Sequence, residues 1–403
     1  MLKTDDYNKI LSGNQGTIIK DFNTLLGYIV ENGGVALTKS ETAFSMSDLL
    51  SLNEIFSNPQ KTGLSRPQQK AFPYINSLFL LLRLSVLAFV KKEKNKSVIH
   101  IDATALNSWK QLKPVEQYGH LLTYLLHPEG NAILGERSFG LLQNISWLHN
   151  DQKRILGYIN NREHHGFQDY QLAALDLFGI LSIKPMAPKV GKSWDFEHVS
   201  ITPFGDDIIK FVSTSLREAF DLSSVDTLFS MVQPLFPHWK TLMKAPKKEP
   251  QLGIHIFKIS LGKAWRQIAI KGDVDLHSFG DVILDAFEFD NDHLHEFSFK
   301  NQHGVIEKIF HYSCDEALSS DEVLIGELNL QIGSEMIYLF DFGDSWRFHI
   351  VLEELDPEAL KLKKPVILKK YGEAPVQYEY GEDLDDLDYF DDGCQFPKKY
   401  QWS

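Results

Sequence analysis

Tyr338-Leu-Phe-Asp-Phe-Gly-Asp-Ser-Trp-Arg-Phe-His349 reads as a strand, a tight turn and a second strand. Apolar residues fill both arms, and Asp341, Gly343 and Asp344 crowd the middle. Short carboxylates at such positions bond backbone amides of the turn, and Gly343 is the residue expected to adopt a conformation closed to other side chains. Upstream, Asp292-His-Leu-His-Glu-Phe297 opens a segment read as a strand from His293 to Lys300. Residues two apart on a strand share a face, so His293 and His295 point the same way, with Phe297 and Phe299 continuing the row.

Polar side chains on apolar strands are costly to bury without partners. His293, His295, Asp341, Asp344 and Trp346 therefore form the candidate site, as a shared site or as a bonded structural network. Two imidazoles with a carboxylate from Asp341 or Asp344 match the donor set of a divalent metal, or a general acid and base. In the structural alternative the histidines are rim residues above an aromatic core and the aspartates serve only the turn. The identity of any metal or cofactor is left unknown by these residues. The Asp341-Phe-Gly343 triplet does not make a kinase, because no Gly-rich loop, no Val-Ala-Ile-Lys strand and no His-Arg-Asp loop accompany it.

Around these motifs the second half reads as strands with one helix. Ile254 to Leu261 and Trp265 to Ile270 are strands. Asp275 caps a helix with Leu276, Phe279, Ile283, Ala286 and Phe287 at helical spacing. Val305 to His311, Met336 to Phe342 and Arg347 to Glu353 follow as strands. This order gives an α+β domain with a mixed or antiparallel sheet, of which a β-grasp-like order is one version.

From about Gly253 to Gly393 the chain resembles the plasmid pRiA4b open-reading-frame-three-like family. The resemblance rests on Ile254-His-Ile-Phe-Lys-Ile-Ser-Leu261, Ala264-Trp-Arg-Gln-Ile268, Asp292-His-Leu-His-Glu-Phe297 and Phe340-Asp-Phe-Gly-Asp-Ser-Trp346, in the family's order. The family carries resolvase-like and repressor-like labels rather than a defined activity. Many members have a Cys-containing run near the end and a His two residues after the Trp. Here those places hold Glu373-Ala-Pro-Val-Gln-Tyr-Glu-Tyr-Gly381 and Phe348, so a metal site is not carried over from the family. A serine recombinase needs a nucleophilic Ser among clustered arginines, and no such cluster occurs.

The chain has 403 residues, enough for two or three domains, with 43% hydrophobic and 24% charged residues, an ordinary globular composition. Two cysteines, Cys314 and Cys394, make no metal-binding Cys-x-x-Cys and no disulfide framework. The start of the chain lacks a signal-peptide layout. The longest apolar run, Leu78 to Val90, contains Arg83 and is too short for a membrane span. A reducing cytoplasm and no membrane are the expectation.

Charge divides the chain. Residues 1–252 hold 27 Lys and Arg against 24 Asp and Glu, a net of +3; residues 253–403 hold 14 against 30, a net of −16. Any nucleic-acid contact therefore belongs to the first part. Glu379 to Gly393 has eight acidic residues in fifteen, read as a solvated face. The Pro- and Lys-rich stretch Lys244 to Leu252 is the linker between a helical region, 1–243, and the α+β domain, 253–403.

The helical region carries a faint repeat. Leu78 to Val90 runs from helix into strand, Lys91-Lys-Glu-Lys-Asn-Lys96 turns, Val98-Ile-His-Ile101 returns, and Asp102 caps the next helix. Tyr170 to Gly179, Ile180 to Ile183, Val199 to Ile201 and a helix opened by Thr202-Pro203 repeat the order. Val35 to Lys39 followed by Met46 to Ile55 is a weaker echo. Helix, hairpin, capped helix is the wing portion of a winged helix. Such a module reads DNA or pairs with protein, and Lys91, Lys92, Lys94 and Lys96 would reach a phosphate backbone. Without a Walker loop, a Gly-x-Ser-x-Gly elbow or a dinucleotide fingerprint, the expectation is a non-enzymatic binding or regulatory protein. Its candidate partners are DNA through residues 1–252 or a protein. The alternative is a metal-dependent hydrolase with its site in the second domain.

Overall fold

Ile18, Phe22, Leu25, Leu26 and Ile29 recur at helical spacing and are buried along one face of α1, Ile18–Glu31. The computed structural model describes residues 16–378 except 94–95, 128–129, 135–139, 164–165, 217–224, 238, 245–248, 302–303, 305, 315–317, 358 and 360. The acidic segment 379–393 and Lys94 lie outside the described residues. The chain divides into two compact units, residues 1–245 with 302–305, and residues 246–301 with 306–403.

In the first unit α1 is followed by β1 (Val35–Ala36), α2 (Met46–Ile55), α3 (Pro73–Leu84), β2 (Ala88–Glu93) and β3 (Lys96–Ile101). The strands form an antiparallel sheet in the order β1-β3-β2. The apolar run splits as helix, break and strand: α3 ends at Leu84 and β2 starts at Ala88. Asp102 caps α4 (Ala103–Gln111) by accepting from the Ala105 amide at 2.7 Å. After α5 (Pro114–Leu125) comes a second set: α6 (Leu141–Asn150), α7 (Gln152–Asn161), α8 (Asp169–Leu177), β4 (Leu181–Pro185), β5 (Phe196–Ile201) and α9 (Pro203–Leu216), with α10 (Val225–Val232) beyond. Thr202 Oγ1 accepts from the Gly205 amide at 2.8 Å, the cap that opens α9.

Every residue of α3 is buried, as its all-round apolar sequence requires. Much of that burial comes from α8. Ser77 Oγ donates to the Tyr170 carbonyl at 2.6 Å and the Tyr74 hydroxyl to Asp176 Oδ2 at 2.8 Å.

The second unit is one seven-stranded sheet with a helix on one face. Its strands are β6 (Ile254–Leu261), β7 (Ala264–Lys271), β8 (His295–Lys300), β9 (Ile306–Phe310), β10 (Glu335–Phe340), β11 (Trp346–Asp356) and β12 (Val366–Tyr371). Their order is β12-β7-β6-β11-β10-β8-β9. Every pairing of these strands is antiparallel, so the sheet is not mixed. β7 and β8 lie four places apart and so run in the same direction, and α11 (Leu276–Phe287) is the crossover that joins them. Alternate residues of β6 (His255, Phe257, Ile259, Leu261) are buried. Phe279 of α11 meets Phe257 with ring centroids 5.0 Å apart, and Phe287 meets Phe348 at 5.2 Å. At Gly280 the helix comes so close that a Cβ would lie 3.0 Å from the Tyr338 hydroxyl.

The ordered unit begins before Gly253, since the Gln251 amide donates to the Gly326 carbonyl at 3.0 Å. No helix among the described residues is long and apolar enough to cross a membrane.

Candidate metal centre

His277 sits in the first turn of α11, two residues past Asp275, whose side chain accepts from the Ser278 amide at 2.7 Å. His295 opens β8, paired with Phe340 of β10. His311 directly follows β9, and its amide donates to the His295 carbonyl at 2.9 Å. Ser320, fully buried, ties the three together. Its carbonyl accepts from the His277 amide at 2.9 Å, its amide donates to the Phe310 carbonyl at 2.8 Å, and its Oγ lies 3.1 Å from His295 Nε2.

These bonds bring three imidazoles into one cluster. Ring centroids lie 5.5 Å apart for His277 and His295, 5.3 Å for His277 and His311, and 4.8 Å for His295 and His311. One ligand nitrogen from each ring lies within 4.8 Å of the others. Among the described residues this is the one group of three or more His, Cys, Asp or Glu side chains so placed. His277 Nδ1 and His295 Nδ1 are both buried without a hydrogen-bond partner. An unmatched buried polar atom costs roughly 1–3 kcal/mol, and a site with two of them asks for an explanation.

Protonation is suppressed here. Burial, then the neighbouring His311 and His277, pushes His295 down to about 3. Burial, then His277, lowers His311. Both rings are therefore neutral at pH 7, the form that ligates a metal. With its proton on Nε2, His295 donates to Ser320 Oγ and leaves Nδ1 bare. Metal-ligating histidines are oriented by such a bond. His311 Nδ1 accepts from the Ser313 amide at 3.1 Å, so a metal would compete with that amide. A tetrahedral ion held at 2.0–2.1 Å needs donors about 3.3 Å apart, which modest ring rotation would reach.

The residues singled out from the sequence fall in two places. His295 belongs to the cluster just described. His293 precedes the strand and is half exposed. Its Nδ1 lies 2.8 Å from Asp292 Oδ1 and 3.1 Å from the Tyr378 hydroxyl, and its Nε2 lies 3.9 Å from Asp341 Oδ2. The structure thus gives His293 and His295 different partners. Asp341 is buried, and its Oδ1 accepts from the amides of Gly343 at 2.8 Å and Asp344 at 3.4 Å. The left-handed positions of this turn are Asp341 (φ 54°) and Ser345 (φ 57°), not Gly343. Asp tolerates that region better than most residues, and here its own side chain secures the turn. Asp344 is exposed. Trp346 pairs with Phe340 across the turn and packs edge-on to Phe289 at 5.1 Å. In the first unit Lys91, Lys92 and Lys96 are exposed on the β2–β3 hairpin.

Residues 250–390 match the family described as plasmid pRiA4b ORF-3-like protein. That span covers most of the second unit and includes the histidine cluster and the Asp341 turn. A solved structure, that of a protein of unknown function from Methanosarcina mazei Go1, is similar at 22% identity. The match covers 29% of this chain and 68% of that chain, with a TM-score of 0.27. No curated protein matches the chain.

Proposed function

We propose that this is a non-enzymatic binding protein whose second unit holds a divalent transition-metal ion, of the zinc class, on His277, His295 and His311. The observation that carries the reading is the convergence of three ring nitrogens with two unpartnered buried Nδ1 atoms. Imidazole donors suit zinc, copper, iron and nickel and disfavour magnesium or calcium. Burial supports a binding rather than a hydrolytic role: His295 is 1% exposed, His311 8% and Ser320 0%, with His277 partly buried.

The first unit supports a pairing role. The order α1–β1–α2–α3–β2–β3 with sheet order β1-β3-β2 supports a winged-helix reading, and α6–α7–α8–β4–β5 has the same order without the first strand. The helices such modules place in a major groove would be α3 and α8, and these are packed on each other. On this reading the modules bind each other, and DNA contact is left to the hairpin residues Lys91, Lys92 and Lys96.

The test is a cobalt(II) titration of the full-length chain, read by visible absorption. One equivalent should bind with a tetrahedral spectrum. His277→Ala and His295→Ala should abolish it, while His293→Ala and Asp341→Asn keep it. Loss in His293→Ala with retention in His277→Ala would reverse the assignment and favour a hydrolase site built on His293, His295, Asp341 and Asp344.

A further inference from the structure

Among the described residues, strand β12 is the outer strand of the seven-stranded sheet and pairs on one side only, with β7. All six of its residues are exposed, including Val366 (44%), Ile367 (46%), Leu368 (47%) and Tyr371 (63%). An apolar strand edge open to solvent is a template for another strand. Lone apolar residues on a surface need no explanation, but three in a row on a free edge do.

The charge around this edge selects the partner. Residues 361–370 contain Lys361, Lys363, Lys364, Lys369 and Lys370, which are five of the 14 basic residues in 253–403, and no acid. All five lysines are exposed. This is a basic strip in a region whose net charge is −16. The backbone beneath it is firmly placed. Arg266 Nη1 donates to the carbonyls of Tyr371 and Gly372 at 3.1 Å each, and Tyr371 stacks on Trp265 with centroids 6.0 Å apart.

We propose that the free edge of β12 docks an extended acidic segment of a partner protein, which adds as an eighth strand. Backbone bonds to the edge supply affinity, apolar side chains on the two faces of the guest meet Val366, Ile367 and Leu368, and carboxylates meet the lysines. A second copy of this chain is disfavoured, because edge-to-edge pairing would set five lysines against five. Lysines, Pro365 and the irregularity between Ile367 and Lys369 guard the edge against indiscriminate pairing, and they leave an acidic strand as the matching guest. Nucleic acid is disfavoured because it lacks the backbone amides and carbonyls that pair with a strand edge.

The probe is a fluorescein-labelled ten-residue peptide alternating Asp and Val, titrated with the full-length chain and followed by anisotropy. Binding should weaken with salt, and Lys369→Glu with Lys370→Glu should reduce affinity at least tenfold, the fold being checked by circular dichroism. A Lys–Val peptide should not bind. Truncation after Tyr378 should leave affinity unchanged. Equal binding of the Lys–Val peptide, or no effect of the double charge reversal, overturns the proposal. So does equally tight binding of oligothymidine, or a dimer dispersed by the same variants. Binding that appears only after truncation also overturns it, since the occupant is then the chain's own acidic segment.

Discussion

Acid should destabilise the second unit, and His295 should account for a defined share. In the folded protein this ring is held to about 3 against an ordinary value of 6.5, first by burial and then by His311 and His277. The unfolded chain takes up the proton near 6.5, and the folded chain does not until about 3. Below pH 6.5 the unfolded state therefore binds more protons, and stability falls as pH falls. The contribution is fully present above the unfolded value and is lost progressively down to about 3. Each unit of pH in that window is worth about 1.4 kcal/mol, so moving from pH 7 to pH 5 should cost about 2 kcal/mol through His295 alone.

The assay is urea unfolding of the full chain at pH 7 and pH 5 in the presence of a chelator, for wild type and His295→Gln. The glutamine keeps a polar side chain of similar size but does not titrate. Its loss of stability between the two pH values should be smaller than the wild type's by about 2 kcal/mol. His120 of the first unit is likewise pushed down, to about 4, by burial, and serves as an internal reference because it is unchanged in the variant. Equal pH dependence of the two proteins would refute the reasoning. So would a His295 ring that titrates near 6 by NMR.

Three further outcomes follow from the same geometry. Ser320→Ala removes the hydroxyl 3.1 Å from His295 Nε2; it should cost about 1–3 kcal/mol in thermal unfolding and weaken cobalt binding about tenfold or more. Asp341→Ala strips the acceptor of the turn amides at a left-handed position, so a loss of about 1–3 kcal/mol is expected by urea unfolding, whereas exposed Asp344→Ala should stay within about 0.5 kcal/mol. Gly280→Ala sets a methyl 3.0 Å from the Tyr338 hydroxyl, and overpacking of this kind costs about 1–3 kcal/mol, measurable as a lowered unfolding midpoint.

Local chemistry was readable from the residues, and convergence was not. The 338–349 hairpin announces itself because turn formers and alternating apolar residues are neighbours in sequence. Its left-handed residues were misplaced, since Asp341 supplies through its own side chain what glycine supplies through freedom. The caps at Asp102, Thr202 and Asp275 act within three residues, and their types reveal them. Strand β12 was not foreseen, because three apolar residues between lysines and a proline carry too little alternation to register. His277 and His311 were legible only as a polar residue of an amphipathic helix and the last residue of a strand. His311 meets His295 through its own amide, and what joins His277 to His295 is Ser320, a residue with no motif around it, which bonds a helix, a strand and a strand end through separate atoms.

That arrangement also explains why the cluster is poised for a metal rather than for acid–base work. A general acid or base gains from a value near the working pH, and His295 at about 3 is far from it. The burial that spoils it as a proton shuttle keeps its lone pair free. At pH 5 an ordinary imidazole is largely protonated, whereas His295 remains neutral. His295 should therefore add little to the loss of metal affinity with acid, so the loss should be less steep than for a site of three solvent-exposed histidines. Cobalt titrations at pH 7, 6 and 5 measure that slope. A tenfold or greater loss per pH unit for each ligand would mean that the rings protonate freely, and the buried cluster would then not be the ligand set.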